Sequence, residues 1–103
     1  MSGVLVRIKR AVLAGRYRFS DKARIEMKTD ALTELDVAES ILNAGAIFKR
    51  VRSTSFLRKR AREYLYVIQS MNLAGLPIYT KGKLVSEAGF ETYYFLVSSK
   101  RAE

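Results

Sequence analysis

Between Lys49 and Arg62 the chain carries seven positive side chains and no acidic one: Lys49, Arg50, Arg52, Arg58, Lys59, Arg60 and Arg62. Arg and Lys at this density can neutralise phosphates, and the hydroxyls of Ser53, Thr54 and Ser55 can add neutral contacts. Glu63 follows, and after it the most strand-like segment of the chain, Tyr64 to Gln69. A charge run is often only a solvated loop. Its place beside a strand, with no compensating acid, favours a fixed anion-binding surface whose natural ligand is a phosphate backbone.

Such a surface can bind RNA or also cut it. Cleavage needs little apparatus, because the neighbouring 2′-hydroxyl is the nucleophile. The protein must take its proton, stabilise charge on phosphorus and assist the leaving oxygen. The chain has no His and no Cys. Ser-His-Asp triads, Cys-His dyads and zinc sites built on those residues are therefore excluded, and no metal or other cofactor is expected. What remains is a Lys, a Tyr or Glu63 as base, with Arg and Lys on the phosphate. Tyr64, Tyr66, Tyr79, Tyr93 and Tyr94 all fall in strand-like segments, and an exposed ring there can stack on a base. Half-buried packing is the commoner role for each. An isolated strand lysine such as Lys49 or Lys81 is, by the same standard, usually a surface residue. There is no G-x-x-x-x-G-K-[ST] and no G-x-G-x-x-G motif, and Gly82 alone reads as a bulge or turn.

The length of 103 residues suits one domain, 1–103, and a hydrophobic content of 49% suits a folded core. The formal net charge of +9 calls for an acidic partner. No apolar run is long enough to span a bilayer, and the basic first helix lacks Trp and a wide apolar face. A soluble cytoplasmic protein with no membrane partner is the expectation.

Helical spacing predicts a first helix over 3–14, stopped by Gly15, then an extended connection over 16–19. Ser20 caps a second helix over 21–29, and Thr33 with Asp36 forms a near capping box for a third, ending at Asn43 and Gly45. The period then changes to alternation, giving strands over 46–52, 63–70, 76–85 and 91–98, with 100–103 as a tail. Helices first and strands after predict an α+β fold. Its N-terminal helices pack on one face of a mainly antiparallel sheet of about four strands. Six of the ten acids (Asp21, Glu26, Asp30, Glu34, Asp36 and Glu39) fall on the second and third helices. Basic residues dominate elsewhere, which predicts a one-sided binding surface.

Several segments together resemble a known group. They are Val12-x-x-Gly15, the run Arg18-Phe-Ser-Asp-Lys-Ala-Arg-Ile-Glu-Met27, the run Leu32-Thr-Glu-Leu-Asp-Val-Ala-Glu-Ser-Ile-Leu-Asn43, and an ending in Val97-Ser98-Ser99-Lys100. The layout is similar to the small bacterial type II toxins of the RelE/ParE, BrnT and MqsR kind, with Lys22 where many allied domains have a His. The resemblance implies a RelE/MqsR-like fold and a cofactor-free mRNA endoribonuclease held silent by an antitoxin. The MqsR pattern carried over implies Lys49 after Phe48, Tyr79, and Lys100 after Ser98-Ser99 as catalytic residues. On the reading of the residues themselves, Tyr79 or Glu63 would handle protons. Arg50, Arg52, Arg58, Lys59, Arg60 and Arg62 would bind RNA. That family also uses a Gln between the Lys and the Tyr. Here the place is open, since Gln69 lies late in its strand and the loop offers Arg60 and Arg62. The partners implied are RNA and an antitoxin protein, with a homodimer left open. The alternative is a non-catalytic module that binds nucleic acid or protein through the same basic face, including a gyrase-poisoning role of the ParE kind.

Overall fold

The computed structural model describes residues 3–52, 64–87 and 90–102. Among these the chain forms α1 (Gly3–Leu13), β1 (Tyr17–Phe19), α2 (Asp21–Thr29), α3 (Glu34–Asn43), β2 (Lys49–Arg52), β3 (Tyr64–Met71), β4 (Pro77–Glu87) and β5 (Phe90–Arg101). The α+β class stands. The sheet has five strands, not four, in the order β1-β5-β4-β3-β2, and it is mixed. The added strand is β1, which lies within the expected connection and pairs parallel with β5, Arg18 opposite Phe95. Three residues are too few to show alternation, so β1 left no period to read. The expected tail is also strand, for β5 runs on through Lys100 and Arg101.

Local chemistry explains the helix ends. Gly15 adopts φ +77, which a glycine accepts without strain. Arg16 N–H then reaches Ala11 O at 2.8 Å and Gly15 N–H reaches Val12 O at 3.0 Å, a Schellman closure of α1. The same closure ends α2, Leu32 N–H to Met27 O and Ala31 N–H to Lys28 O. There the left-handed position falls on Ala31, φ +58, where a Cβ is strained. Ser20 caps α2 by accepting Ala23 N–H at 3.0 Å. At α3 the capping box is complete: Thr33 Oγ1 accepts Asp36 N–H, and Asp36 Oδ2 accepts Thr33 N–H at 2.9 Å. Asp thus serves in the place usually held by Glu or Gln.

The core joins all three helices to one side of the sheet. Ile8, Ala11, Ala23, Met27, Val37 and Ile41 pack with Ile68, Ile78, Tyr94 and Leu96, most of them fully buried. Alternation along β3, β4 and β5 therefore assigns the intervening residues to the opposite face. Tyr94 is the largest buried side chain, worth roughly 2–3 kcal/mol in area alone. Its ring lies over Gly82 of β4, and its hydroxyl points to Tyr66 O of β3 at 3.5 Å. A Cβ at Gly82 would come within 2.8 Å of that ring and 2.7 Å of Phe95 O. The glycine read as a bulge or turn does sit at a register shift, between Lys81 and Gly82. It is there because an aromatic side chain must cross the strand.

Candidate functional site: a cross-strand row on the face opposite the helices

The β3–β4 turn fixes the first part of the site. Asn72 Oδ1 accepts Leu76 N–H at 2.8 Å, and Gly75 at φ +88 closes the loop. The turn is tied to α3 by Asn72 Nδ2 to Asp36 Oδ1, Leu73 N–H to Glu39 Oε1 and Asn43 Nδ2 to Met71 O. A turn held in this way sets the register, and the register sets which face each side chain takes. Gln69 falls opposite Tyr79. Both lie on the face away from the helices, because their neighbours Ile68 and Thr80 are buried toward the core.

Lys100 completes the row. It pairs with Tyr79 across β4 and β5, and its Nζ lies 5.4 Å from the Tyr79 ring centroid. Two one-residue register shifts bring it there, at Val85/Ser86 and at Lys81/Gly82. The outer edge of β5 beyond β1 has no strand neighbour in the sheet order, and α2 serves it instead. Ser20 Oγ donates to Val97 O, Glu26 Oε1 accepts Ser98 Oγ at 2.7 Å and Ser99 N–H at 3.0 Å, and Asp30 Oδ2 accepts Arg101 N–H at 2.9 Å. The spacing matches: four residues of helix rise about 6 Å and two residues of strand about 6.6 Å, so Glu26 and Asp30 meet alternate N–H groups. Lys100 sits between the two clamped N–H groups.

Lys49 is on the same face. It pairs with Val67, which pairs with Lys81 and lies two residues from Gln69. Val67 is buried but lies outside the helix-side cluster. Lys49 and Lys100 are exposed and Tyr79 is half-buried. The structure thus brings Tyr79 and Lys100 together and sets Lys49 on their side of the sheet. It does not bring Arg50 or Arg52 there. They pair with Tyr66 and Tyr64, so they point to the other face, where the Arg50 guanidinium lies 4.2 Å from the Tyr64 ring centroid. The basic strand β2 is split by its own alternation. Glu63, Arg58, Lys59, Arg60 and Arg62 lie outside the described residues.

Among the described residues, the acids of α2 and α3 are mostly structural. Glu26, Asp30, Asp36 and Glu39 bond the sheet or its turn, and Glu34 meets Arg24 at 3.2 Å. Burial pushes the Glu26 carboxyl up, but the bonds from Ser98, Lys22 and Ser99 N–H outweigh it and hold it below the ordinary value. Asp36 is held low mainly by Thr33 N–H. Burial pushes the Tyr94 phenol well above its ordinary range. Lys9 is likewise structural, donating to Ala44 O at the end of α3 at 2.6 Å. Arg18, Lys49, Lys81, Lys83 and Lys100 lie on the face away from the helices.

Sequence reasoning left Gln69 open as a member of the row and read Arg18 as part of a connection. The Gln69 signal was partial: a turn over Asn72–Gly75 alone would set Gln69 opposite Ile78, and the observed pairing of Met71 with Pro77 moves it opposite Tyr79. No group of three or more His, Cys, Asp or Glu is placed to hold a metal ion among the described residues, and no helix there is long and apolar enough to cross a membrane. No family model matches the chain, and no curated protein or solved structure matches it significantly.

Proposed function

We propose that the chain is an endoribonuclease of the type II toxin kind, with a RelE/MqsR-like sheet that cuts RNA on the face opposite the helices. The observation that carries this reading is the Lys100–Tyr79 pair, 5.4 Å from ammonium to ring centroid, in one row with Gln69 and on one face with Lys49. That order along the chain, Lys, Gln, Tyr, Lys, is the one the MqsR resemblance implies. Gln69 takes the open place.

The chemistry follows from the group types. The 2′-oxygen attacks the adjacent phosphorus, the O2′–P bond forms as the P–O5′ bond breaks, and a proton passes from the 2′-oxygen to the 5′-oxygen. The products are a 2′,3′-cyclic phosphate and a 5′-hydroxyl. Lys49 and Lys100 stabilise the extra negative charge on the phosphate. Tyr79 handles the proton and Gln69 hydrogen-bonds the reacting group, fixing its position. The basic residues of this face draw the strand in. An antitoxin that silences such a face would present acidic residues to it.

The test is controlled expression in a bacterial host with mRNA ends mapped by sequencing, wild type beside Lys49→Ala/Lys100→Ala. Growth arrest with new, motif-specific ends only in the wild type supports the ribonuclease. A wild type that binds RNA and yields no new ends moves the reading to a binding module.

A further inference from the structure

We propose that Arg18, Tyr93 and Phe95 form a base-stacking subsite on the same sheet face, distal to the Tyr79 row, that holds an unpaired base of the RNA strand. The proposal rests on the ribonuclease reading for its substrate, and on separate geometry for its place.

Parallel pairing sets Arg18 of β1 opposite Phe95 of β5, and antiparallel pairing sets Phe95 opposite Lys83 and Tyr93 opposite Val85. Tyr94 and Leu96, the residues between and beyond, are fully buried toward the helices. Tyr93 and Phe95 therefore face away from the core. They are half-buried and stand outside the helix-side cluster. Two residues along a strand separate the rings by about 6.6 Å, enough for each to meet a different base or for one base to wedge between them.

The Arg18 guanidinium lies 4.4 Å from the Tyr93 ring centroid, and Arg18 is exposed. A guanidinium this close to a ring sets a planar cation beside an aromatic group, and Arg planes and aromatic faces are surfaces on which single-stranded bases pack. The connection to the Tyr79 row is electrostatic. Tyr79, Lys81 and Lys83 alternate along β4 on this face, so Lys83 stands about 13 Å from Tyr79 along the strand. That span is covered by a few nucleotides, with Lys81 between to meet a phosphate. Aromatic and cationic groups set side by side, Tyr93 and Phe95 with Arg18, Lys81 and Lys83, suit a polyanion with flat faces: single-stranded nucleic acid. A membrane surface would need a wide apolar patch, and an acidic peptide meets the charges but lacks the flat faces that stack on rings and guanidinium.

The test uses strands that cannot be cut. A fluorescent 2′-O-methyl RNA ten-mer and an abasic sugar-phosphate strand of equal length are titrated against wild type, Phe95→Leu and Arg18→Ala. Phe95→Leu keeps apolar bulk and removes the π face. Its affinity for the base-bearing strand should fall about tenfold and its affinity for the abasic strand by less than twofold. Equal affinity for the base-bearing strand, or equal losses for both strands, overturns the subsite. Because Phe95→Leu can disturb the sheet, the wild type is also photo-crosslinked to a 5-iodouridine ten-mer. Crosslinks mapped to Tyr93 or Phe95 support the proposal, and crosslinks confined to other residues overturn it. Neither measurement depends on cleavage, so an inactive protein that crosslinks at Tyr93 or Phe95 would sink the ribonuclease and keep the subsite. Cleavage of RNA without those crosslinks would do the reverse.

Discussion

The carboxylate of Glu26 on α2 accepts the backbone N–H of Ser99 on β5 at 3.0 Å, so a helix side chain does the work of a missing strand neighbour. The same oxygen takes the Ser98 hydroxyl at 2.7 Å. Removing it leaves a part-buried donor pair without a partner. Glu26→Ala is expected to cost about 2–3 kcal/mol and Glu26→Gln about 1 kcal/mol, because the amide oxygen still accepts but carries no charge. Urea unfolding followed by circular dichroism checks the order.

Acid stability follows from the same bonds. Glu26 and Asp36 are both held below their ordinary values of 4.5 and 3.8. A depressed folded-state pKa contributes stability that is present above the unfolded value and is lost as pH falls through the folded one. Stability should therefore begin to fall below about pH 4.5, and the Glu26→Gln variant should show a shallower loss across the same range. Identical pH dependence in variant and wild type, measured as urea midpoints from pH 6 to 2, would show that Glu26 does not carry this linkage.

Gly82 and Tyr94 make a second stabilising pair. Gly82→Ala forces the new Cβ against the Tyr94 ring and Phe95 O, and should cost about 1–3 kcal/mol. Tyr94→Phe keeps the packing and loses only a long hydroxyl contact, so it should cost less than about 1 kcal/mol. Thermal unfolding distinguishes the two. If Tyr94→Phe proved the worse, the hydroxyl and not the ring would be the reason for the glycine.

Ala31 marks a place where the chain is strained. At φ +58 it closes α2 in a conformation that suits glycine. Ala31→Gly should stabilise the fold by about 0.5–1 kcal/mol, the left-handed strain relieved less the added freedom of the unfolded chain. A raised urea midpoint with an unchanged slope is the expected observation.

Much of the fold was legible because strong local signals agree with the tertiary structure. Ser20, Thr33 and Asp36 named the helix starts, Gly15 the end of α1, and Pro77 the start of β4. β1 was not legible, since a three-residue strand is made by its parallel neighbour and not by its own pattern. The site divides in the same way. Gln69 opposite Tyr79 nearly follows from one turn, being one residue off the register that Asn72–Gly75 alone would set. Lys100 opposite Tyr79 does not, because an unshifted hairpin from Glu87–Phe90 would set Ser98 there, and two bulges intervene. Arg50 and Arg52 were grouped with Lys49 by proximity in sequence, yet strand alternation sends them to the other face. The clustered acids suggested a surface of opposite sign, and the fold uses most of them as pins between helix and sheet.

The central claim concerns the row on the sheet face, and single-stranded RNA cleavage by the purified protein tests it most directly. Wild type, Tyr79→Phe, Gln69→Ala and Lys100→Ala are incubated with end-labelled RNA and with the same strand carrying 2′-deoxy residues. Wild type should give 2′,3′-cyclic phosphate ends on RNA and leave the deoxy strand intact, and each variant should lose about a hundredfold in rate or more while still binding RNA. No cleavage by folded wild type, or cleavage that survives all three substitutions, would contradict the account.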